Sequence, residues 1–305
     1  MSKVNLFLIG AAKSGTSSLH DQLCLHDSII GASTKEPHFF CQNGSETEMS
    51  YEDYRELFEI KSSFDYLLDS STGYLQFEKS IDRIREYNEN SKILVILRNP
   101  IDRVLSHFNW LYGYGDERSG FWEAIGSFGL NEPDFYDEQK GNVGYKHYLS
   151  WGMYGKKVEN LLNIFPRHSV KFVFFEDYKL DPKSTLKDVF DFLNVEVDDT
   201  IISNMVEVKS NKSIAIKHKK TLMILYSLRF GRFKALFPKF FVAYIKKIKS
   251  SLIRKIKKQS DESAINFKLG HEDRRKLKEI YQDDVDLLLR LMNVNVGDTP
   301  WEDFK

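Results

Sequence analysis

The chain contains little cysteine, no long apolar run and no net charge. Only Cys24 and Cys41 occur among its 305 residues, too few for a disulfide framework, so the sequence predicts a reducing compartment. Neither has a partner at metal-ligand spacing, and we expect no metal cofactor. No apolar run approaches the roughly 18 residues of a membrane-spanning helix. The first apolar segment begins near residue 4, which leaves no room for a signal peptide, and a cytoplasmic location is expected.

The zero net charge conceals one strongly basic stretch. Residues 208–260 contain 16 Lys or Arg and no Asp or Glu, whereas the rest of the chain has 28 basic and 44 acidic residues. Basic amphipathic helices with aromatic side chains bind anionic membranes, so peripheral membrane contact through this stretch is one hypothesis. A solvated helical hairpin and a surface that steers a polyanionic acceptor are the alternatives. No nucleic-acid-binding module is visible, and no nucleic-acid partner is expected.

Apolar runs and amphipathic segments alternate along the chain. This alternation predicts an α/β fold, with a P-loop-like central parallel sheet flanked by helices. We expect one domain over residues 1–305, with the basic helical insert at 213–267 near its C-terminal end. Residues 113–143 are predicted to be irregular. Strands are predicted at 4–9, 28–32, 65–69, 92–97 and 169–175, and helices at 17–25, 51–59, 77–88, 101–111, 145–165, 182–193 and 272–292.

The first strand is followed by a loop of small residues and a helix start, a pattern that predicts an anion site. Backbone N–H groups of such a loop and the positive end of the helix converge, and Lys13 adds a full charge. A nucleoside-triphosphate P-loop has its lysine directly after the second glycine, but Thr16 follows Gly15 here. The clearest buried strand ends in Arg98 rather than a magnesium-binding aspartate. An anionic cofactor held without Mg²⁺ is therefore favoured, with a P-loop kinase as the alternative.

Two further groups of residues carry candidate chemistry. Arg98 ends a strand and Ser106 follows in the next helix, so both are predicted to bind a phosphate. Pro37 disfavours helix at Glu36, so this segment is predicted to be extended, and Glu36 and His38 then point the same way. Glu36 is a candidate general base that His38 orients. An ordinary surface carboxylate and a packing histidine are the alternatives.

Taken together, these motifs resemble those of the sulfotransferases that use 3′-phosphoadenosine 5′-phosphosulfate (PAPS). The chain looks most like bacterial members related to the heparan sulfate sulfotransferase domain. Residues 10–19 match the family's 5′-phosphosulfate loop, and 98–106 match its R-x-P-x-x-R-x-x-S motif for the 3′-phosphate. Residues 35–40 match the segment that carries the general base. Ser70 stands where that branch has a lysine, so the resemblance supplies no second catalytic cation here.

The resemblance implies transfer of a sulfuryl group from PAPS to an acceptor hydroxyl of a sugar or glycolipid. Glu36 would take the acceptor's proton, Lys13 would stabilise charge on the leaving phosphate, and His38 would assist, without a metal. A non-catalytic protein that binds membranes or polyanions through 208–260 is a second alternative. The cofactor-binding residues that the resemblance implies are Lys13, Ser14, Gly15, Thr16, Ser17, Ser18, Arg98 and Ser106.

Overall fold

A computed structural model describes most of the chain. The described residues are 3–42, 49–60, 63–133, 136–137, 145–207 and 267–305. The basic stretch 208–260 lies outside them, as does the predicted insert 213–267 apart from Phe267. Among the described residues, no helix combines the length and apolar character that crossing a membrane requires. The same residues contain no group of three or more His, Cys, Asp or Glu arranged to hold a metal ion.

A five-stranded parallel sheet confirms the predicted fold class. Its strands are β1 (Leu6–Gly10), β2 (Ile29–Gly31), β3 (Tyr66–Asp69), β4 (Lys92–Leu97) and β5 (Val170–Phe174). They lie in the order β2-β3-β1-β4-β5, and every neighbouring pair is parallel. All five overlap predicted strands. β1 and β4 are almost wholly apolar and buried, as strands covered on both faces must be.

Helices follow most of the strands. They are α1 (Thr16–Leu23), α2 (Tyr51–Glu56), α3 (Lys79–Tyr87), α4 (Pro100–Tyr114), α5 (Phe121–Gly126), α6 (Gly155–Ile164), α7 (Phe175–Leu180), α8 (Pro182–Leu193), α9 (Asp199–Glu207) and α10 (His271–Met292). Local sequence explains several of their ends. The Asp181 carboxylate caps α8 by accepting from Ser184 N at 3.0 Å, and Asn293 ends α10 with φ 57°.

Two local predictions were wrong. The helix predicted over 145–165 begins only at Gly155, because the aromatic residues before it pack as a stack rather than along a helix face. Tyr145 and Trp151 lie with ring centroids 5.7 Å apart. A Cβ on Gly152 would lie 2.9 Å from the Tyr281 hydroxyl, so the close approach requires glycine there. The region predicted to be irregular, 113–143, contains α5.

The chain forms two compact units. The first comprises Met1–Val104, Phe128–Asn211 and Leu269–Lys305 and contains the sheet; the second comprises Leu105–Ser127 and Lys212–Lys268. In the described part of the second unit, Phe121 packs between two other aromatic rings. Its ring centroid lies 5.2 Å from that of Phe108 and 5.0 Å from that of Phe267. The Asn109 side chain also exchanges two hydrogen bonds with the backbone of Phe267.

The core and the strand order of the first unit together indicate where a site can form. Apolar side chains of α1, α8 and α9 pack with β1, β3 and β4 into one buried cluster. β1 lies between β3 and β4, and the chain crosses from one side of β1 to the other when it passes from β3 to β4. Ligands of open α/β sheets bind at such a switch point, beyond the carboxyl ends of the strands. The segments that leave β1, β2, β3 and β4 therefore form the candidate site.

Candidate functional site

The loop between β1 and α1 is a tight backbone turn. Ala11 N donates to Ile96 O at 2.6 Å, which ties the loop to β4. Lys13 and Gly15 both have left-handed backbones, with φ 70° and 90°. At Gly15 a Cβ would come within 2.8 Å of the Phe175 ring, so only glycine fits there. The loop therefore delivers the N-terminal end of α1 to the edge of the sheet, as the sequence predicts.

Two cations meet at this loop. Arg98 Nη1 donates to Lys13 O at 3.1 Å, and the Arg98 guanidinium lies 4.9 Å from the Phe175 ring centroid. Burial, reinforced by the nearby charge of Arg98, lowers the pKa of Lys13 to about 8, although Glu36 opposes that shift. The buried Ser14 hydroxyl makes no well-aligned hydrogen bond with any described residue, although it interacts with the Tyr154 side chain. Positive charge and a hydroxyl without a well-aligned hydrogen bond at one place suit a bound anion.

The Glu36 segment is not extended, so that prediction was wrong. Glu36 and His38 have φ 57° and 52°, both left-handed. The two side chains nevertheless meet, with Glu36 Oε2 3.3 Å from His38 Nε2. The turn after β3 holds them, since Thr72 Oγ1 donates to Glu36 Oε2 at 3.3 Å and His38 N donates to Ser71 Oγ at 3.1 Å. The carboxylate is thereby fixed beside the loop by side chains of a second element.

A buried carboxylate anchors that turn. Asp69, the last residue of β3, is 0% exposed and accepts hydrogen bonds from Tyr54, Ser71 and Tyr74 at 2.7, 2.7 and 2.6 Å. Burial raises the pKa of Asp69, and the three donors offset part of that rise. Since Ser71 also binds the backbone of His38, Asp69 sets the position of the base segment without contacting it.

His38 is packed as well as polar. It is 1% exposed and stacks on Tyr136, with ring centroids 4.2 Å apart. A Cβ on Gly73 would lie 2.8 Å from His38 Nδ1, so the turn closes tightly on the ring. His38 Nε2 makes no well-aligned hydrogen bond with any described residue, although it lies beside Glu36. The geometry suits a residue that orients the Glu36 carboxylate.

Ser70 ties two elements together. Its hydroxyl lies 2.8 Å from Nδ1 of His20 in α1, and both side chains are buried. Burial, with a contribution from the nearby Lys35 charge, lowers the pKa of His20. Ser70, at the position where the related branch has a lysine, therefore makes a polar contact between the turn after β3 and α1.

The C-terminal segment secures the turn that carries Arg98. Asn99 N donates to Glu176 Oε1 at 3.0 Å, and Asn99 Nδ2 donates to Asp303 Oδ2 at 2.7 Å. The other oxygen of Glu176 accepts from Trp301 Nε1 at 2.8 Å, and Arg274 Nε donates to Asp303 Oδ1 at 2.8 Å. These contacts fix the chain immediately after Arg98, so the C-terminal residues belong to the support of the candidate site.

The remaining predicted residues are located as follows. Thr16 is buried at the start of α1, while Ser17 and Ser18 are half-buried in its first turn. Ser106 is half-buried in α4 and belongs to the second unit, whereas Arg98 belongs to the first. That both bind one phosphate stays a prediction.

Sequence reasoning missed most of the supporting residues. A usable signal was present, because a polar run directly follows the buried strand β3 at the carboxyl edge of the sheet. For the C-terminal support, the contacts join residues far apart in sequence, and no spacing rule predicts them. The missed residues are Lys35, Asp69, Thr72, Asn99, Glu176 and Asp303.

The chain is similar in sequence to known sulfotransferases. The family model described as "Sulfotransferase domain" matches residues 3–287. Bifunctional heparan sulfate N-deacetylase/N-sulfotransferase 4 of Mus musculus is 27% identical over 198 residues, covering 62% of this chain. That match spans only 22% of the relative, about a fifth of its length.

Two solved structures share the fold. The sulfotransferase from Alicyclobacillus acidocaldarius has a TM-score of 0.66 at 23% identity, covering 97% of this chain and 98% of that chain. Mouse sulfotransferase SULT7A1 complexed with PAP has a TM-score of 0.51 at 17% identity, covering 96% of this chain and 88% of that chain.

Proposed function

Because this chain belongs to the sulfotransferase domain family, we propose that it transfers a sulfuryl group from PAPS to an acceptor hydroxyl. One observation supports this most strongly. The start of α1 and the Glu36 carboxylate are joined through Lys35, whose ammonium contacts the Ser17 hydroxyl and lies 3.5 Å from Glu36 Oε1. A cation for the leaving group and a base for the acceptor thus occupy one edge of the sheet.

PAPS suits the residues present. The buried Ser14 hydroxyl, which makes no well-aligned hydrogen bond, and the side chains of Lys13 and Arg98 offer a donor and two positive charges to its phosphates. When bound, PAPS supplies the sulfuryl group. The 5′-phosphosulfate would be held by Lys13, Ser14, Gly15, Thr16, Ser17 and Ser18, and the 3′-phosphate by Arg98 and Ser106.

Glu36 and Lys13 divide the chemistry between them. Glu36 accepts the proton of the attacking hydroxyl, in the orientation set by Thr72 and His38. Lys13 stabilises the negative charge that develops on the 5′-phosphate oxygen as its bond to sulfur breaks. Thr72 and His38 hold Glu36 in place before an acceptor binds.

We propose a carbohydrate or glycolipid as the acceptor. The relative described above is named for heparan sulfate, and heparan sulfate glucosamine 3-O-sulfotransferase 5 of Mus musculus, 26% identical over 188 residues, is named for transfer to an oxygen of such a sugar. A sugar hydroxyl loses its proton when it attacks sulfur, and a carboxylate base can accept that proton.

The test is transfer of labelled sulfate from PAPS to a panel of a heparan-type oligosaccharide, a glycolipid, a simple sugar and a phenol. We expect label on a sugar-containing acceptor and formation of one PAP per sulfate transferred. The Lys13→Ala variant is the control for contaminating activity. Absence of labelled product from every acceptor would contradict the proposal, and label on the phenol alone would overturn the acceptor class.

A further inference from the structure

Lys35 lies between the two halves of the candidate site. Its ammonium contacts the hydroxyl of Ser17, in the first turn of α1, and lies 3.5 Å from Glu36 Oε1. The side chain is 28% exposed, so one side of the charge is open to a ligand. One cation therefore touches both the loop proposed to hold the donor and the carboxylate proposed to activate the acceptor.

Lys35 thus contacts both ends of the transfer that the proposed function requires. A sulfuryl group that leaves the 13–18 loop for an oxygen held at Glu36 must pass between them. The Lys35 charge is also among those that lower the pKa of Lys13. Like charges at short range repel each other, and an anion between them relieves that repulsion. The pair is thus arranged for a negatively charged group.

A simple tether for Glu36 explains the contacts less well. Glu36 already accepts from Thr72 and lies beside His38. The Lys35 ammonium reaches further, to Ser17 on a different element. That contact places the charge beside the donor loop as well as beside Glu36.

We infer that Lys35 is a second catalytic cation, which binds the sulfonate oxygens of PAPS while the sulfuryl group moves. The inference rests on the proposed function. The acceptor oxygen forms its bond to sulfur as the bond from sulfur to the 5′-phosphate oxygen breaks. The acceptor's proton passes to Glu36, and the electron pair of the broken bond stays on the phosphate beside Lys13. Lys35 remains protonated throughout and is not consumed.

A comparison of PAPS with PAP isolates this role, because the two ligands differ only in the sulfonate. We expect Lys35→Gln to weaken PAPS binding about tenfold by titration calorimetry, the effect of losing one charge-assisted hydrogen bond. Affinity for PAP should stay within about twofold of wild type, since no phosphate contact is lost. Lys35→Arg should restore most of the PAPS affinity, because it keeps the charge.

Acceptor-free release of PAP from PAPS gives a second readout that needs no identified substrate. Lys35→Gln should slow it by roughly 10²-fold, the usual effect of removing one transition-state donor. Lys187→Ala is the matched control, since that exposed lysine pairs only with Asp199 among the described residues. It should change neither readout.

The possible outcomes distinguish a failure of the inference about Lys35 from a failure of the proposed function. Equal weakening of PAP and PAPS by Lys35→Gln, with an unchanged thermal melt, would make Lys35 a general support of the loop and overturn the inference. So would wild-type behaviour of that variant in both readouts. A wild-type chain that binds neither nucleotide would overturn the proposed function itself, and the inference with it.

Discussion

The two halves of the candidate site are built in different ways. The donor half, the loop at 10–18 with Arg98, is shaped by the backbone: a glycine with φ 90°, a helix start and a contact to β4. The acceptor half, residues 35–38, is held by side chains from the turn after β3. The fold thus provides a general anion cradle, while the base depends on a few specific contacts. Changes in the first half should therefore alter nucleotide affinity, whereas a change at Glu36 in the second should alter only turnover.

The largest effect is expected at the donor half. Lys13→Ala removes the cation at the leaving group, so transfer should fall roughly 10³-fold. PAP affinity should also fall, by about 10-fold or more, because a charged hydrogen bond to phosphate is lost. Labelled transfer and calorimetry measure the two. Full activity in Lys13→Ala would break the assignment of the loop.

A smaller loss, of turnover alone, is expected at the acceptor half. Glu36→Gln keeps the shape of the base but cannot accept a proton, so transfer should fall about 10²-fold. PAP affinity should stay within about twofold, because Glu36 binds no phosphate. Loss of both would show that Glu36 is structural and that the two halves are not separable.

The donor half could be predicted from the sequence, whereas the contacts that hold the acceptor half could not. The loop and Arg98 follow from the spacing of local residues, as do the strands, and the parallel sheet is confirmed. The acceptor half depends on Asp69, which contacts Ser71 and through it the His38 backbone. Such chains of contacts between distant segments leave no periodic signal. The left-handed Glu36, directly before Pro37, is likewise imposed by its tertiary partners.

The pH dependence of nucleotide binding should belong to the donor half only. With the pKa of Lys13 lowered to about 8, its ammonium is present below that pH and is lost above it. PAP affinity should therefore fall about eightfold between pH 7.5 and 9. Lys13→Arg should bind with little pH dependence, because guanidinium stays charged. A flat wild-type profile would show that Lys13 does not contact the phosphate.

The smallest effect is expected from the C-terminal support. Asp303→Asn weakens its pairing with Arg274 and its contact with Asn99, which follows Arg98 directly. PAP affinity should fall roughly threefold, in line with a modest loss of hydrogen-bond energy. Glu302→Gln is the control, since Glu302 is exposed and pairs with Lys305. Equal affinities in the two variants would remove Asp303 from the support of the donor half.

The most direct test of the account is titration calorimetry of the wild-type protein with PAP, and separately with ATP and Mg²⁺. The account predicts one PAP bound per chain, little heat from Mg²⁺-ATP, and PAP affinity weaker by about tenfold or more in Lys13→Ala. Binding of Mg²⁺-ATP without binding of PAP would contradict it and favour a P-loop kinase.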